Sequence, residues 1–180
     1  TDKATLTGDS GQAILLADLR PGTLVNITLQ GVMAVAIAEV KLTLGEVTSV
    51  DASANALTVK DHAGNSQTIG VSGGVKVVKN GSTASNVTTL TPGDRVEIRK
   101  DIQGVTIVQV LEKVERAFWQ ASNTEIQVKR KSINDNYRYT LSDKVFVHQG
   151  DTTLSVQSLK ENDNIVLYLN NGVVVEIVKQ

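Results

Sequence analysis

A repeated segment is the feature of this 180-residue sequence that most constrains its fold. Residues 57–98 match residues 126–167 at a constant offset of 69. The match includes a corner, because Leu90-Thr91-Pro92-Gly93-Asp94 corresponds to Leu159-Lys160-Glu161-Asn162-Asp163. Self-similarity at a fixed period is typical of a supersecondary unit that is used more than once. We therefore predict two complete repeats.

The N-terminal residues match the second half of this unit. Residues 19–27 correspond to residues 90–98 at an offset of 71, with a corner at Leu19-Arg20-Pro21-Gly22. The counterpart of the opening hairpin, residues 45–60, is missing from the N-terminal match. Either the sequence starts inside a longer repeat array, or a half-unit is part of the design. We favour the array.

These matches predict the domain organisation. Residues 1–43 form a partial repeat, namely the second half of a unit. Residues 44–113 form a complete β repeat, and residues 114–180 form a second complete repeat that contains the aromatic residues.

The composition and the apolar pattern both indicate strands. Val, Ile and Thr make up 55 of the 180 residues, and β-branched side chains favour pleated surfaces over helices. Apolar residues alternate with polar ones in short runs, and Asn171-Gly172 is typical of a tight hairpin. Barrel closure hides the edges of such strands. We predict an all-β chain with little helix, made of about two and a half tandem small antiparallel β-barrel-like repeats. A single helical turn is expected between Ser82 and Thr91.

Composition excludes several classes of protein. The chain has no cysteine, which rules out disulfide scaffolds, thiol nucleophiles and cysteine-ligated metal sites. Its net charge of -1, with 8 basic and 8 acidic residues in the last repeat, argues against nucleic acid as a partner. No apolar run is long enough for a membrane span. We predict no cofactor.

The residues that usually carry catalysis are sparse. His62 and His148 are the two histidines, and they fall in different repeats, so we expect a structural or solvated role for each and no enzyme. Calcium is an alternative, because carboxylates in turns can bind it. The aspartates considered for calcium are Asp9, Asp94, Asp151 and Asp163. Aspartates in turns more often bond to their own backbone.

All six aromatic residues lie after residue 115. One interpretation is that these rings fill the core of the last repeat, since Trp119 aligns with Val50 at the offset of 69. The other interpretation is an exposed platform that stacks on sugar rings. The candidate ligand-binding residues are Trp119, Tyr137, Tyr139, Tyr168 and Arg138.

Three segments carry a resemblance to a known family. Residues 45–51, 56–60 and 90–98 resemble the small β repeats found in surface proteins of Gram-positive bacteria, which often accompany S-layer homology domains. The resemblance implies an extracellular, non-catalytic structural or spacer module at the cell surface or cell wall. We expect the partner to be either a second copy, which adds to strand edges that the half-unit exposes, or a cell-wall polymer. A carbohydrate-binding module that uses the aromatics of the last repeat is the alternative.

Overall fold

The computed structural model describes residues 4–19, 23–71 and 73–180, and these residues form an all-β structure. This confirms the predicted all-β class. The strands in the described residues are β1 Thr5–Thr7, β2 Val25–Gln30, β3 Met33–Glu39, β4 Thr43–Asp51, β5 Ala56–Asp61, β6 Ser66–Gly70, β7 Val75–Lys79, β8 Ser82–Ala84, β9 Arg95–Lys100, β10 Thr106–Val110, β11 Glu112–Ala121, β12 Glu125–Val128, β13 Arg138–Gln149, β14 Thr152–Leu154, β15 Asn164–Asn170 and β16 Val173–Lys179.

Helix in the described part of the chain is limited to single 3₁₀ turns at Leu16–Asp18, Val87–Thr89 and Val156–Ser158. The second of them confirms the helical turn predicted between Ser82 and Thr91. Each turn is followed by a leucine whose backbone N–H bonds to the carbonyl of the first turn residue. The 3₁₀ turn and its leucine therefore recur once in each predicted repeat.

The strands form three sheets that follow one another along the sequence. The first has the order β1-β3-β2, the second β6-β5-β4-β9-β10-β7-β8, and the third β12-β11-β15-β16-β13-β14. The chain divides into two compact units, one comprising Thr1–Val78 with Ser82–Val108 and the other comprising Lys79–Gly81 with Gln109–Gln180. The first two sheets lie in the first unit, except for the last residue of β7 and the last two residues of β10, and the third sheet lies in the second.

The third sheet has an extra pairing that joins its two sides. β12 pairs with β11 and also with β13, so the pairings β12-β11-β15-β16-β13-β12 form a ring of five strands. β13 runs parallel to β16, whereas the other pairs are antiparallel. Inward-facing apolar side chains of these strands form one buried cluster, which includes Phe118, Ile126, Leu141, Leu167 and Ile177.

The second sheet follows the same order with one strand divided. β4, β5, β9 and β10 correspond to β11, β12, β15 and β16, and both β4–β9 and β11–β15 are antiparallel. The long strand β13 corresponds to two shorter strands, β6 and β7. Gly74, with φ of 100°, lies in the connection between them. Positive φ favours glycine and interrupts an extended strand.

The corner has the same hydrogen bonds in both complete repeats. Asp94 accepts a hydrogen bond from the Thr91 backbone N–H at 2.8 Å, and Asp163 accepts one from the Lys160 N–H at 2.8 Å. Gly93 and Asn162 occupy the left-handed position, with φ of 93° and 73°. The corresponding N-terminal corner at residues 20–22 lies outside the described residues.

The first sheet has the strand register of the C-terminal repeat. β2 and β3 form the same six residue pairs as β15 and β16, with a bulge at the same place, at an offset of 140. β1 runs parallel to β3 as β13 runs parallel to β16. The N-terminal sheet therefore contains counterparts of three strands of the unit, and within the described residues it has no counterparts of β11 and β12.

Candidate functional site

Trp119 lies at a β-bulge on the surface of the third sheet. Phe118 pairs with Val128 and Gln120 pairs with Gln127, so Trp119 is the extra residue between them. A bulge redirects the side chain of the extra residue. Trp119 is 44% exposed, whereas the preceding residue, Phe118, is buried.

The same bulge occurs in the preceding repeat and corrects the sequence alignment. Thr48 is the extra residue there, between the pairs that Val47 and Ser49 form with β5. Trp119 is therefore the counterpart of Thr48, and the alignment with Val50 was wrong. The pair Ala121–Ile126 encloses two residues fewer than the pair Val50–Leu57, so the offset changes from 71 to 69 within the hairpin.

A cleft of about 330 Å³ lies beside Trp119. It is lined by Trp119, Val128, Arg130 and Tyr137. The Arg130 guanidinium lies 3.9 Å from the centroid of the Tyr137 ring, and that of Arg138 lies 5.4 Å from it. A guanidinium at these distances is attracted to the face of the ring. The cleft thus combines an exposed indole, a half-buried phenol and one guanidinium, and a second guanidinium lies near the phenol ring.

The other two tyrosines of the predicted site do not line this cleft. Tyr139 is buried in the core of the C-terminal unit, and its hydroxyl donates a hydrogen bond to the Asn136 carbonyl at 3.2 Å. Burial raises the pKa of Tyr139 above its ordinary value. Tyr168 lies on β15, where it pairs with Lys113 on one side and Glu176 on the other. The structure therefore brings together Trp119, Tyr137 and Arg138 of the predicted residues.

Arg130 also lines the cleft. It lies in the basic run Lys129-Arg130-Lys131, which precedes Tyr137 in the sequence. The proximity of Arg130 to that tyrosine depends on the bend of the chain at residues 129–137. Part of the bend is held by Asp135, which accepts backbone hydrogen bonds from Lys131 and Ser132. These two hydrogen bonds and that of the Ser132 hydroxyl lower the pKa of Asp135.

His148 is held between two hydrogen-bond acceptors. Its Nε2 lies 2.9 Å from the carboxylate of Glu176, which is buried, and its Nδ1 lies 2.8 Å from the Gly150 carbonyl. The ring also stacks on Phe146, with 4.9 Å between centroids. These contacts tie β13 to β16 and to the turn before β14. His62 lies in the turn between β5 and β6.

The four aspartates considered for calcium lie in separate turns or corners. Asp94 and Asp163 bond to the backbone of their own corners, Asp151 lies at the tip of the β13–β14 hairpin, and Asp9 lies in the turn after β1. Within the described residues, no three acidic or histidine side chains converge on one point. None of the helices in that part of the chain is long and apolar enough to cross a membrane.

The N-terminal sheet exposes an apolar surface. Among the described residues, eleven large hydrophobic side chains are exposed, and eight of them fall between residues 15 and 42. These eight are Leu15, Leu16, Leu24, Ile27, Leu29, Val32, Met33 and Leu42. β2 is the last strand on its side of this sheet. An exposed edge strand with apolar side chains is a site at which another strand can add.

No known protein-family model matches the chain, and no curated protein matches it significantly.

Proposed function

We propose that this chain is a non-catalytic structural module of a bacterial cell-surface or S-layer protein. The observation that carries the proposal is the repetition of one unit, including its 3₁₀ turn, its aspartate corner and its bulged hairpins. Repeated units extend a chain one structural module at a time. The resemblance of residues 45–51, 56–60 and 90–98 to surface-protein repeats supports the same function.

We further propose that each complete unit is a small β-barrel. The ring of five strand pairings in the third sheet supports a closed barrel, because closure satisfies both edges of every strand. In the second sheet, β6 and β7 together take the place of β13. β6 pairs with β5 and β7 pairs with β10, so the connection between β6 and β7 joins the two sides of the ring. The N-terminal sheet is then half of a third barrel.

Localisation of the native protein tests the structural function. We expect an antibody raised against residues 1–180 to detect the protein in the cell-envelope fraction, and protease added to intact cells to remove the signal. Recovery of the protein in the cytosolic fraction, protected from external protease, would contradict the proposal. A cytosolic protein of known abundance serves as the control for cell lysis.

A cell-wall polysaccharide ligand is the second candidate function, and the cleft beside Trp119 supports it. An exposed indole can stack on the apolar face of a sugar ring, and Arg130 and Arg138 supply charge for acidic substituents. We expect purified cell walls to retain the wild-type protein and to release Trp119→Ala and Tyr137→Ala. Ile102→Ala, at an exposed apolar residue of the preceding repeat, is the matched control and should remain bound.

The outcome of this binding test separates the two candidate functions. Equal retention of wild type and both cleft variants would contradict a ligand in the cleft. Circular dichroism and thermal unfolding of each variant show whether a loss of binding comes from a loss of fold. Trp119 is expected to tolerate substitution, because its side chain is not part of the buried cluster.

A further inference from the structure

The N-terminal sheet lacks the hairpin that covers the same surface in both complete units. In the C-terminal unit, β11 pairs with β15 from Glu112 to Ala117, and β12 follows it. In the preceding unit, β4 pairs with β9, and β5 follows. β2 is the counterpart of β9 and β15. Within the described residues, β2 pairs with β3 alone.

The exposure of equivalent side chains measures this difference. Ile27 in β2 corresponds to Ile98 in β9 and to Leu167 in β15. Ile98 is 5% exposed and Leu167 is 0% exposed, whereas Ile27 is 53% exposed. All three positions are apolar. The N-terminal sheet therefore contains the side chain that both complete units bury, but within the described residues it lacks the hairpin that buries it there.

We propose that β2 is the docking site for an opening β-hairpin of this repeat type, supplied by a segment outside residues 1–180. The inference deepens the structural function proposed above and rests on it. The docked hairpin adds its first strand antiparallel to β2, in the register of β11 on β15. In that register, the counterpart of Val114 lies opposite Ile27, and the counterpart of Lys113 lies opposite Thr28.

Two strands fit this surface better than one. In the C-terminal unit, β11 satisfies the edge of β15, but apolar side chains of β12 complete the core. Ile126 and Val128 belong to the same buried cluster as Leu167. A single added strand would bond to β2 and leave part of the apolar face in water, whereas a hairpin covers both.

A peptide with the sequence of residues 112–128 tests the proposal on the intact 180-residue protein. An isolated hairpin is marginally stable, so a second version is closed by a disulfide between cysteines added at its ends. We expect the fluorescence anisotropy of the labelled peptide to rise and saturate with wild-type protein. Ile27→Lys should weaken binding by about tenfold or more, since a buried lysine replaces the central contact. Val32→Lys, at the 98% exposed hairpin tip, should leave the affinity unchanged.

Hydrogen exchange of the complex locates the peptide. We expect added protection in β2 and unchanged protection in β9 and β15. Loss of protection in β4–β5 or β11–β12 would overturn the proposal, because the peptide would then have displaced a resident hairpin. Binding of a scrambled peptide with equal affinity, or binding that Ile27→Lys does not weaken, would also overturn it.

Sedimentation of the protein without peptide provides the remaining distinction. If neither peptide binds and the wild type self-associates while Ile27→Lys does not, the occupant is a second copy and the hairpin proposal fails. Failure of both peptides to bind a monomeric protein overturns it as well. Neither result changes the expected envelope localisation, so a failed docking site and a failed structural function are distinguishable.

Discussion

At the scale of single residues, the corner of each repeat depends on a left-handed backbone position. Gly93 and Asn162 occupy it in the two complete units. A Cβ added at Gly93 would meet no atom within 4 Å, so space is not the constraint there. The constraint is the backbone conformation, which glycine and asparagine adopt more readily than other residues.

Substitution at this position should therefore act through conformation alone. We expect Gly93→Val to lower the free energy of unfolding by about 1–2 kcal/mol, because a β-branched residue is strained at positive φ. Asn162→Gly should change it by less than about 0.5 kcal/mol. Urea unfolding monitored by circular dichroism measures both. An equal loss for the two variants would contradict this explanation.

Asp163 links the stability of the C-terminal unit to pH. Lys179 Nζ lies 2.7 Å from its carboxylate, and this hydrogen bond, together with that of the Lys160 backbone, lowers the pKa of Asp163. The folded-state pKa is below the unfolded value of about 3.9, so the stabilisation is present above that pH and is lost as the pH falls through the folded pKa. Asp163→Asn should reduce stability at pH 7.

The measurement compares unfolding of wild type and Asp163→Asn at neutral and acidic pH. We expect the difference between them to be larger at neutral pH and to shrink in acid. Asp151→Asn, at an exposed hairpin tip, is the control for a general loss of one negative charge. A difference between wild type and Asp163→Asn that stays constant with pH would show that the carboxylate charge does not contribute.

Residue-level predictions from the sequence succeeded where a turn or corner fixed the backbone. The corner aspartates and the Asn171-Gly172 hairpin tip follow from local chemistry, and both glycine and asparagine at the tip have positive φ. The exposure of Trp119 could not be predicted in this way. The offset of 69 pairs Trp119 with Val50, whereas the strand registers at the two bulges give an offset of 71 and pair it with Thr48.

At the scale of elements, β2, β9 and β15 are the same strand in three environments. Their apolar alternation made the strands and their equivalence predictable. Whether the apolar side chains of these strands are buried depends on whether a hairpin packs beside the strand. The sequence of the strand alone does not determine this. The alternation pattern also did not predict that the counterpart of β13 is divided into β6 and β7. This division occurs at the short connection that contains Gly74.

Truncation of equivalent side chains should reveal this difference in environment. We expect Leu167→Ala to lower the free energy of unfolding by about 2–5 kcal/mol, because it opens a cavity in the buried cluster. Ile27→Ala should cost less than about 1 kcal/mol, because much of the side chain is already in water. Chemical unfolding of the two variants provides the comparison. Similar losses would mean that β2 is covered in solution.

At the scale of the whole molecule, the C-terminal unit has its own core and its own ring of strand pairings. We expect a fragment of residues 109–180 to fold alone and to unfold in one cooperative transition with heat or urea. Proton NMR of the fragment should show dispersed methyl and amide signals. A spectrum typical of a disordered chain would contradict the independence of this unit.

Within the described residues, the N-terminal sheet corresponds to half of the repeated unit and has an open edge at β2. Native-state amide hydrogen exchange of the full chain tests it most directly. We predict slow exchange throughout the central residues of β9 and β15, which have a partner strand on each side. In β2, alternate amides that point away from β3 should exchange rapidly, while those that point toward β3 stay protected. Uniform protection along β2, equal to that of β9 and β15, would contradict an open edge at β2.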